Sequence, residues 1–195
     1  DINQKKILRS KYNISINCFV FGFVSRYHPI KNHKLLIDAV ELIAKKNKNI
    51  KCIFIGKEIK NNNYLIDEIK RKKIENYFIL LENSSNINEF MNIFDLHVLC
   101  SRGEGFPNVI AESMSCGVIN IATDVGDTSE IIGNNDLIFE PNKYSLSELI
   151  INLINIKNNK ANYWYKLKKF SIERIANNYS LDKMCNKYYE LWKKS

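Results

Sequence analysis

Two glutamates, Glu104 and Glu112, bracket the stretch Glu104-Gly-Phe-Pro-Asn-Val-Ile-Ala-Glu112, with seven residues between them. The apolar run at residues 96–100 just before it reads as a buried parallel strand, so the segment is expected to run strand, tight loop, helix. In an open parallel sheet, loops at the carboxyl ends of strands are where ligands bind. Gly105 lets the backbone turn closely under a ligand. The residues after Pro107 present helix N–H groups that suit a phosphate. Glu112 falls about one turn into that helix, facing back toward whatever the loop holds. A carboxylate at each end of an anion-binding helix start fits a sugar nucleotide, with hydroxyls at both ends and phosphates between. The same spacing also describes a capped core helix carrying two solvated glutamates.

A second set of residues sits upstream. Arg26 and Lys31 fall in one loop after an apolar strand, where a guanidinium and an ammonium can clamp a diphosphate and stabilise charge developing on a leaving group. Two exposed basic side chains among many is the plainer reading. Asn108 and Val109 matter through their backbone N–H groups, because Pro107 has none and pre-sets the first helical turn.

The segment containing Ser101, the two glutamates and Met114-Ser-Cys-Gly117 resembles the Glu-x7-Glu signature of the retaining glycosyltransferases of family 4, among the group 1 glycosyl transferases. Phe23-Val-Ser-Arg26-Tyr-His-Pro-Ile-Lys31-Asn32-His is similar to that family's Gly-Arg-x4-Lys-Gly/Asn loop, with Ser25 where the family usually has glycine. Ala122-Thr-Asp-Val-Gly126-Asp-Thr-Ser-Glu130 resembles its Val-Gly-Gly-x-x-Glu turn. The three motifs occur in the family's order and span nearly the whole chain.

The resemblance implies the site. Ser25, Arg26 and Lys31 would form the diphosphate loop, with the backbone at Asn108 and Val109 also addressing phosphate. Glu104 and the backbone of Gly105, Phe106 and Pro107 would hold hydroxyls of the donor sugar. Glu112 would hold the ribose, and the segment around Glu82 and Asn83 would cradle the base, mostly through its backbone. Arg26, Lys31 and Glu104 are the expected catalytic residues. Glu130 is expected to cap or brace the Gly126 turn, or to touch ligand.

Composition sets the frame. The chain has 195 residues, 45% of them hydrophobic, enough for one α/β domain with a sizeable core. No window approaches a transmembrane run or a signal peptide. The five cysteines form no C-x-x-C pair; Cys52 and Cys100 fall in expected strands as buried free thiols, which fits a reducing cytosol. The net charge is +8, with a denser lysine group at Lys166, Lys168, Lys169, Lys193 and Lys194. Such charge suits an anionic membrane face or anionic ligands, and equally suits solvated helix faces. No aromatic-interleaved basic stripe or recognition-helix motif occurs, which argues against nucleic acid as a partner.

The elements that must position these residues alternate regularly. Strands are expected at 16–24, 50–56, 77–81, 96–100, 118–122 and 137–139. Helices are expected at 3–12, 34–46, 64–73, 86–94, from 108, at 129–132, and then near 145–157, 160–178 and 181–193. That alternation implies a doubly wound, Rossmann-like parallel sheet of about six strands with helices on both faces. The first strand is followed by Ser25-Arg26-Tyr27-His28 and not by G-x-G-x-x-G, and no Walker loop appears, so nicotinamide and ATP-hydrolysing enzymes are demoted. His97, in an apolar strand, is expected to be a packed core histidine, whereas His28 and His33 flank the phosphate loop. Asp124 and Asp127 lie near the ligand edge, yet the resemblance implies no metal and no cofactor.

The resulting expectation is a donor-binding domain over residues 1–195, the C-terminal half of a GT-B fold. Its terminal helix at 180–195, bearing Tyr188, Tyr189, Leu191 and Trp192, would cross to a missing N-terminal acceptor domain. The reaction implied is retaining transfer of a hexose from a UDP- or GDP-linked sugar to a glycan or lipid-linked acceptor of a bacterial surface polysaccharide. The enzyme would be cytoplasmic, at the inner membrane face, with peripheral membrane association. A non-catalytic sugar-nucleotide-binding module and a sugar-nucleotide epimerase on the same fold are the alternatives.

Overall fold

A computed structural model describes residues 2–82 and 87–193. Five strands form one sheet: β1 (Phe19–Val24), β2 (Ile50–Ile55), β3 (Phe78–Leu81), β4 (Leu96–Leu99) and β5 (Ile119–Ala122). Every pairing is parallel and the order is β3-β2-β1-β4-β5. Between and after them run α1 (Ile2–Lys11), α2 (His33–Lys46), α3 (Asn63–Arg71), α4 (Ile87–Ile93), α5 (Asn108–Ser115), α6 (Thr128–Ile132), α7 (Lys143–Asn159), α8 (Ala161–Asn178) and α9 (Leu181–Trp192).

β1, β4 and β5 are buried at every position because helices cover both faces, so β1 reads as an unbroken apolar run and β4 and β5 are apolar except for His97 and Asn120. Alternate residues serve opposite cores. Phe19, Phe21 and Phe23 join Leu36, Val40, Ile43 and Ile150 from α2 and α7. Val20 and Val24 join Phe90, Met91 and Phe94 near α4, with Leu8 and Tyr12 of the α1 region packed alongside. Asparagine and serine side chains start several helices: Asn62 accepts from Leu65 N–H, Asn142 from Tyr144 and Ser145 N–H, and Ser180 from Lys183 N–H.

The amino end of the sheet is held by a buried charge cluster. Asp95, just before β4, accepts from Arg9 at 2.8 Å and Lys5 at 2.7 Å, and pairs with Lys157 at 2.8 Å. Burial raises its carboxyl pKa, but the cations of Lys5, Lys157 and Arg9 outweigh this and hold it well below the usual carboxylate range. Burial pulls the Lys5 ammonium down to about 8 against the attraction of Asp95. The Arg9 guanidinium, 1% exposed, also donates to the carbonyls of Ile16, Cys18 and Ile93.

That cluster explains one difference from expectation. β1 begins at Phe19 and not at residue 16, because the Ile16 and Cys18 carbonyls serve Arg9 and a turn closes from Cys18 N–H to the Ser15 carbonyl. The sheet also has five strands where about six were expected. Asn134 accepts from Asp136 N–H and pulls Asn135–Leu137 into a 3-10 turn, and Pro141 offers no N–H a few residues on. Only a single bridge, Ala122 to Ile138, remains of the last strand.

α9 is exposed along its described side chains, including Leu181, Met184, Tyr188, Leu191 and Trp192. Among the described residues, no helix is long and apolar enough to cross a membrane. The cysteines are free: Cys18, Cys52 and Cys100 are buried, Cys116 and Cys185 exposed.

Candidate functional site

In the order β3-β2-β1-β4-β5 the winding reverses between β1 and β4. That switch point is where the two loops leaving a sheet's carboxyl edge diverge and open a crevice. The loop after β1 carries Ser25, Arg26 and Lys31, and the loop after β4 carries Ser101 to Pro107. They are joined directly: Arg102 N–H donates to the Ile30 carbonyl at 2.8 Å.

Lys31 and Glu104 meet across this crevice. The Lys31 ammonium donates to Glu104 Oε1 at 2.5 Å, and the Ser101 hydroxyl donates to the same oxygen at 2.5 Å. The pair is largely withdrawn from solvent, the two side chains being 21% and 12% exposed. Lys31 reaches the crevice because Pro29–Lys31 forms a 3-10 turn that ends at Asn32, which adopts φ +56, a conformation asparagine tolerates. Arg26 is exposed in the same loop.

Two further layers hold the loop after β4. Thr123 donates to the Ser101 carbonyl at 2.6 Å, and Thr128 donates to the Thr123 carbonyl at 2.8 Å while accepting from Val125 N–H. The Gly126 turn packs beneath the glutamate loop, with Asp127 N–H donating to the Gly105 carbonyl at 3.1 Å. Gly126 has φ +54, and a Cβ there would lie 2.3 Å from the Glu104 carbonyl oxygen. A Cβ on Gly105 would meet nothing within 4 Å, so the space above that residue is open.

α5 starts at Asn108, just after the loop that carries Glu104, with no side chain capping its first N–H groups. Pro107 is buried and stands just outside the helix, at φ −77 and ψ 88, so the helix begins at residue 108 as expected; the Pro107 carbonyl accepts from Ile110 N–H at 3.0 Å. Val109 is half-buried, whereas Asn108 and Glu112 are exposed on α5. Phe106 is 45% exposed and lies against Tyr179, ring centroids 5.8 Å apart.

A buried polar chain fixes α5 to the sheet. His97 of β4 donates through Nδ1 to Asn120 Oδ1 at 2.7 Å, Ser113 of α5 donates to that same oxygen at 2.7 Å, and the Asn120 amide donates to the Val118 carbonyl. Burial draws the His97 pKa down to about 4, against the hydrogen bond to Asn120, and its Nε2 has no partner among the described residues. His97 is thus the packed core histidine that its strand implied. His33 is also buried, stacked on Phe23 at 4.6 Å and bonded to the Ser25 hydroxyl at 3.1 Å. Burial, with a smaller contribution from Lys31, draws its pKa to about 4. His28 is exposed and accepts from Ile30 N–H.

Glu82 lies at the carboxyl end of β3, two strands from β1, and its side chain accepts from Glu58 N–H at 3.0 Å. Asn83 lies outside the described residues. Glu130 is exposed, and it is its carbonyl that is engaged, by Arg174 and by the Tyr179 hydroxyl. The brace under the Gly126 turn comes instead from Thr128 and Asp127. Residue types alone did not single out Thr128 or Tyr179. A threonine at a helix start is a legible capping signal, but nothing in the sequence links Tyr179 to Phe106.

A doubly wound parallel sheet, with a basic and an acidic residue converging at its switch point, defines an α/β domain of the Rossmann-like class. Within that class, the chain belongs to the glycosyl transferases group 1 family, whose model matches residues 4–170. It is 34% identical over 182 residues to the uncharacterized glycosyltransferase MJ1178 of Methanocaldococcus jannaschii, covering 86% of this chain and 46% of that protein. It is 28% identical over 178 residues to the capsular polysaccharide biosynthesis glycosyltransferase CapM of Staphylococcus aureus, covering 89% and 46%. The crystal structure of Anabaena Alr3699/HepE in complex with UDP and glucose superposes with a TM-score of 0.84 at 23% identity, over 100% of this chain and 53% of that one, a likeness of fold. The chain spans about half the length of these relatives.

Proposed function

We propose that this chain is the donor-binding half of a retaining, family 4 glycosyltransferase of GT-B architecture. The enzyme transfers a hexose from a UDP- or GDP-linked sugar to a glycan or lipid-linked acceptor in surface polysaccharide biosynthesis. The observation that carries the reading is the convergence of Lys31 and Glu104 at the switch point, beside the uncapped start of α5. Arg26, Lys31 and the N–H groups of Asn108 and Val109 take the diphosphate. Glu104 and the 105–107 backbone take sugar hydroxyls, Glu112 takes the ribose, and the segment around Glu82 and Asn83 lies by the base. CapM's role in capsule biosynthesis supports the acceptor class, and the UDP and glucose held by the Anabaena protein support the donor class.

In transfer, Arg26 and Lys31 stabilise the negative charge that gathers on the leaving diphosphate as the anomeric bond breaks. The acceptor hydroxyl attacks from the same face, and its proton passes to the departing phosphate oxygen, so no protein base is required. No metal or cofactor enters this reading. The exposed apolar side chains of α9 pack on an N-terminal acceptor domain, without which the chain binds donor but transfers no sugar. The net charge of +8 supports peripheral association with the cytoplasmic membrane face as part of this reading.

Calorimetry with UDP, GDP, uridine and guanosine tests the donor reading. One diphosphate is expected to bind far more tightly than its nucleoside, and Arg26→Ala is expected to lose about 1.5–3 kcal/mol of that affinity. Equal affinity for nucleoside and diphosphate would refute the clamp.

A further inference from the structure

The Lys31 ammonium, offered to a diphosphate in the reading above, is already engaged. Its partner is Glu104 Oε1, which also takes the Ser101 hydroxyl. The ammonium has further N–H donors to give, but a phosphate that draws on Lys31 arrives beside a carboxylate that is only 12% exposed and competes with it for the same cation.

Glu104 has little freedom to retreat. Its backbone carbonyl rests against the Gly126 turn, the neighbouring Gly105 carbonyl is bonded to Asp127 N–H, and Arg102 is tied to Ile30 on the opposite loop. Ser101, 1% exposed and fixed through its carbonyl by Thr123, keeps its hydroxyl on the carboxylate. Once Lys31 turns to phosphate, a partly desolvated carboxylate stays beside a dianionic group. Like charges at such range repel, more strongly where water is scarce. A sugar attached to the diphosphate relieves this, because its hydroxyls donate to Glu104 and replace the lost ammonium. A bare nucleoside diphosphate has no such donors.

We infer that Glu104 is a specificity-determining residue that discriminates the sugar-loaded nucleotide from the free nucleoside diphosphate, acting as the resident counter-ion of Lys31 and weakening the binding of a diphosphate that carries no hexose. The inference rests on the donor reading above and deepens it. It gives the reaction a direction at this site: once the hexose has left, the product diphosphate faces an uncompensated carboxylate and is expelled as Lys31 returns to Glu104.

The test is calorimetry of the wild-type chain and Glu104→Gln with UDP, GDP and their glucose conjugates. Glutamine keeps the shape, removes the charge and can still bond a hydroxyl. Glu104→Gln is expected to bind the free diphosphate on the order of tenfold more tightly than wild type, equivalent to 1.4 kcal/mol, and the sugar nucleotide no more tightly. The ratio of the two affinities should fall accordingly. If the wild type binds none of the four ligands, the donor reading fails. If it binds them and the ratio is unchanged in Glu104→Gln, the donor reading stands and the counter-ion role is overturned. Should Glu104→Gln not fold, as judged by its thermal melt, Glu104→Asp carries the test. Its shorter carboxylate holds Lys31 less closely, so free diphosphate should again gain on sugar nucleotide, by a smaller factor, and no gain would overturn the inference.

Discussion

Replacing Gly126 by alanine should damage the site more than the fold. Gly126 has φ +54, a region where a Cβ costs about 1–2 kcal/mol. The new Cβ would lie 2.3 Å from the Glu104 carbonyl oxygen and 2.4 Å from that of Gly105, both backbone atoms. Opening the first of these to 3.0 Å moves the turn and the glutamate loop apart by about 0.7 Å, an ordinary lower limit for such a contact. The 3.1 Å bond from Asp127 N–H to the Gly105 carbonyl then stretches beyond hydrogen-bond range, a further loss of about 1 kcal/mol. The sum, about 2–3 kcal/mol, should appear in urea unfolding. The displaced loop carries Glu104, so nucleotide-sugar affinity measured by calorimetry should drop about tenfold or more. Gly133→Ala is the control. Gly133 has φ +64 and its Cβ would strike the Arg174 side chain, at the end of α6 and away from the crevice. It should lose comparable stability and keep its affinity. If Gly126→Ala is destabilised to the same degree yet binds nucleotide sugar within twofold of wild type, the turn does not position the loop and the reasoning is wrong.

Two other expectations concern stability alone. Asp95→Asn strands Arg9, Lys5 and Lys157 around a neutral amide at the amino end of the sheet, and should cost about 3–5 kcal/mol in chemical denaturation while sparing ligand affinity; a cost below about 1 kcal/mol would contradict the cluster's role. His33 and His97, both drawn to about 4, should make the fold acid-sensitive. The unfolded chain takes up protons below about pH 6.5 that the folded chain refuses until about pH 4, so stability is full above 6.5 and falls through that window. Each histidine contributes at most about 1.4 kcal/mol per pH unit. Urea midpoints measured from pH 7.5 to 4.5 check this, and a flat profile between 6.5 and 5 would refute it.

Much of the architecture could be read from runs of apolar residues, since strands covered on both faces need no polar side chains. Residues 50–55 and 96–99 are largely apolar even with Lys51 and His97 among them, and the 34–46 helix declared itself by its apolar stripe. What escaped was decided by distant partners. The start of β1 depends on where Arg9 sends its guanidinium, and the loss of the sixth strand on the Asn134 side chain closing a turn. The site followed the same division. Sequence placed Lys31 and Glu104 in two motifs with a shared ligand, but their contact exists only because the strand order sets β1 beside β4. The role of Ser101 as the hydroxyl on that carboxylate, and the contact of Phe106 with Tyr179, likewise depend on the fold.

The chain of bonds from His97 through Asn120 to Ser113 has a consequence for how the crevice meets an anion. Asn120 Oδ1 is shared by a strand and by α5. If α5 rolled about its axis by a fraction of a turn, Ser113 would keep only its bond to the Ile110 carbonyl of its own helix, and Asn120 Oδ1 would lose one of its two donors in the buried interior. The roll is therefore opposed, and the N–H groups at Asn108 and Val109 keep a constant heading. If the proposed donor binds there, its phosphate meets groups whose orientational disorder was already given up when the chain folded, so little of the attraction is consumed in aligning them. A histidine that never meets the ligand thus acts like the detent on a dial, holding the pointer at the one setting where it is useful.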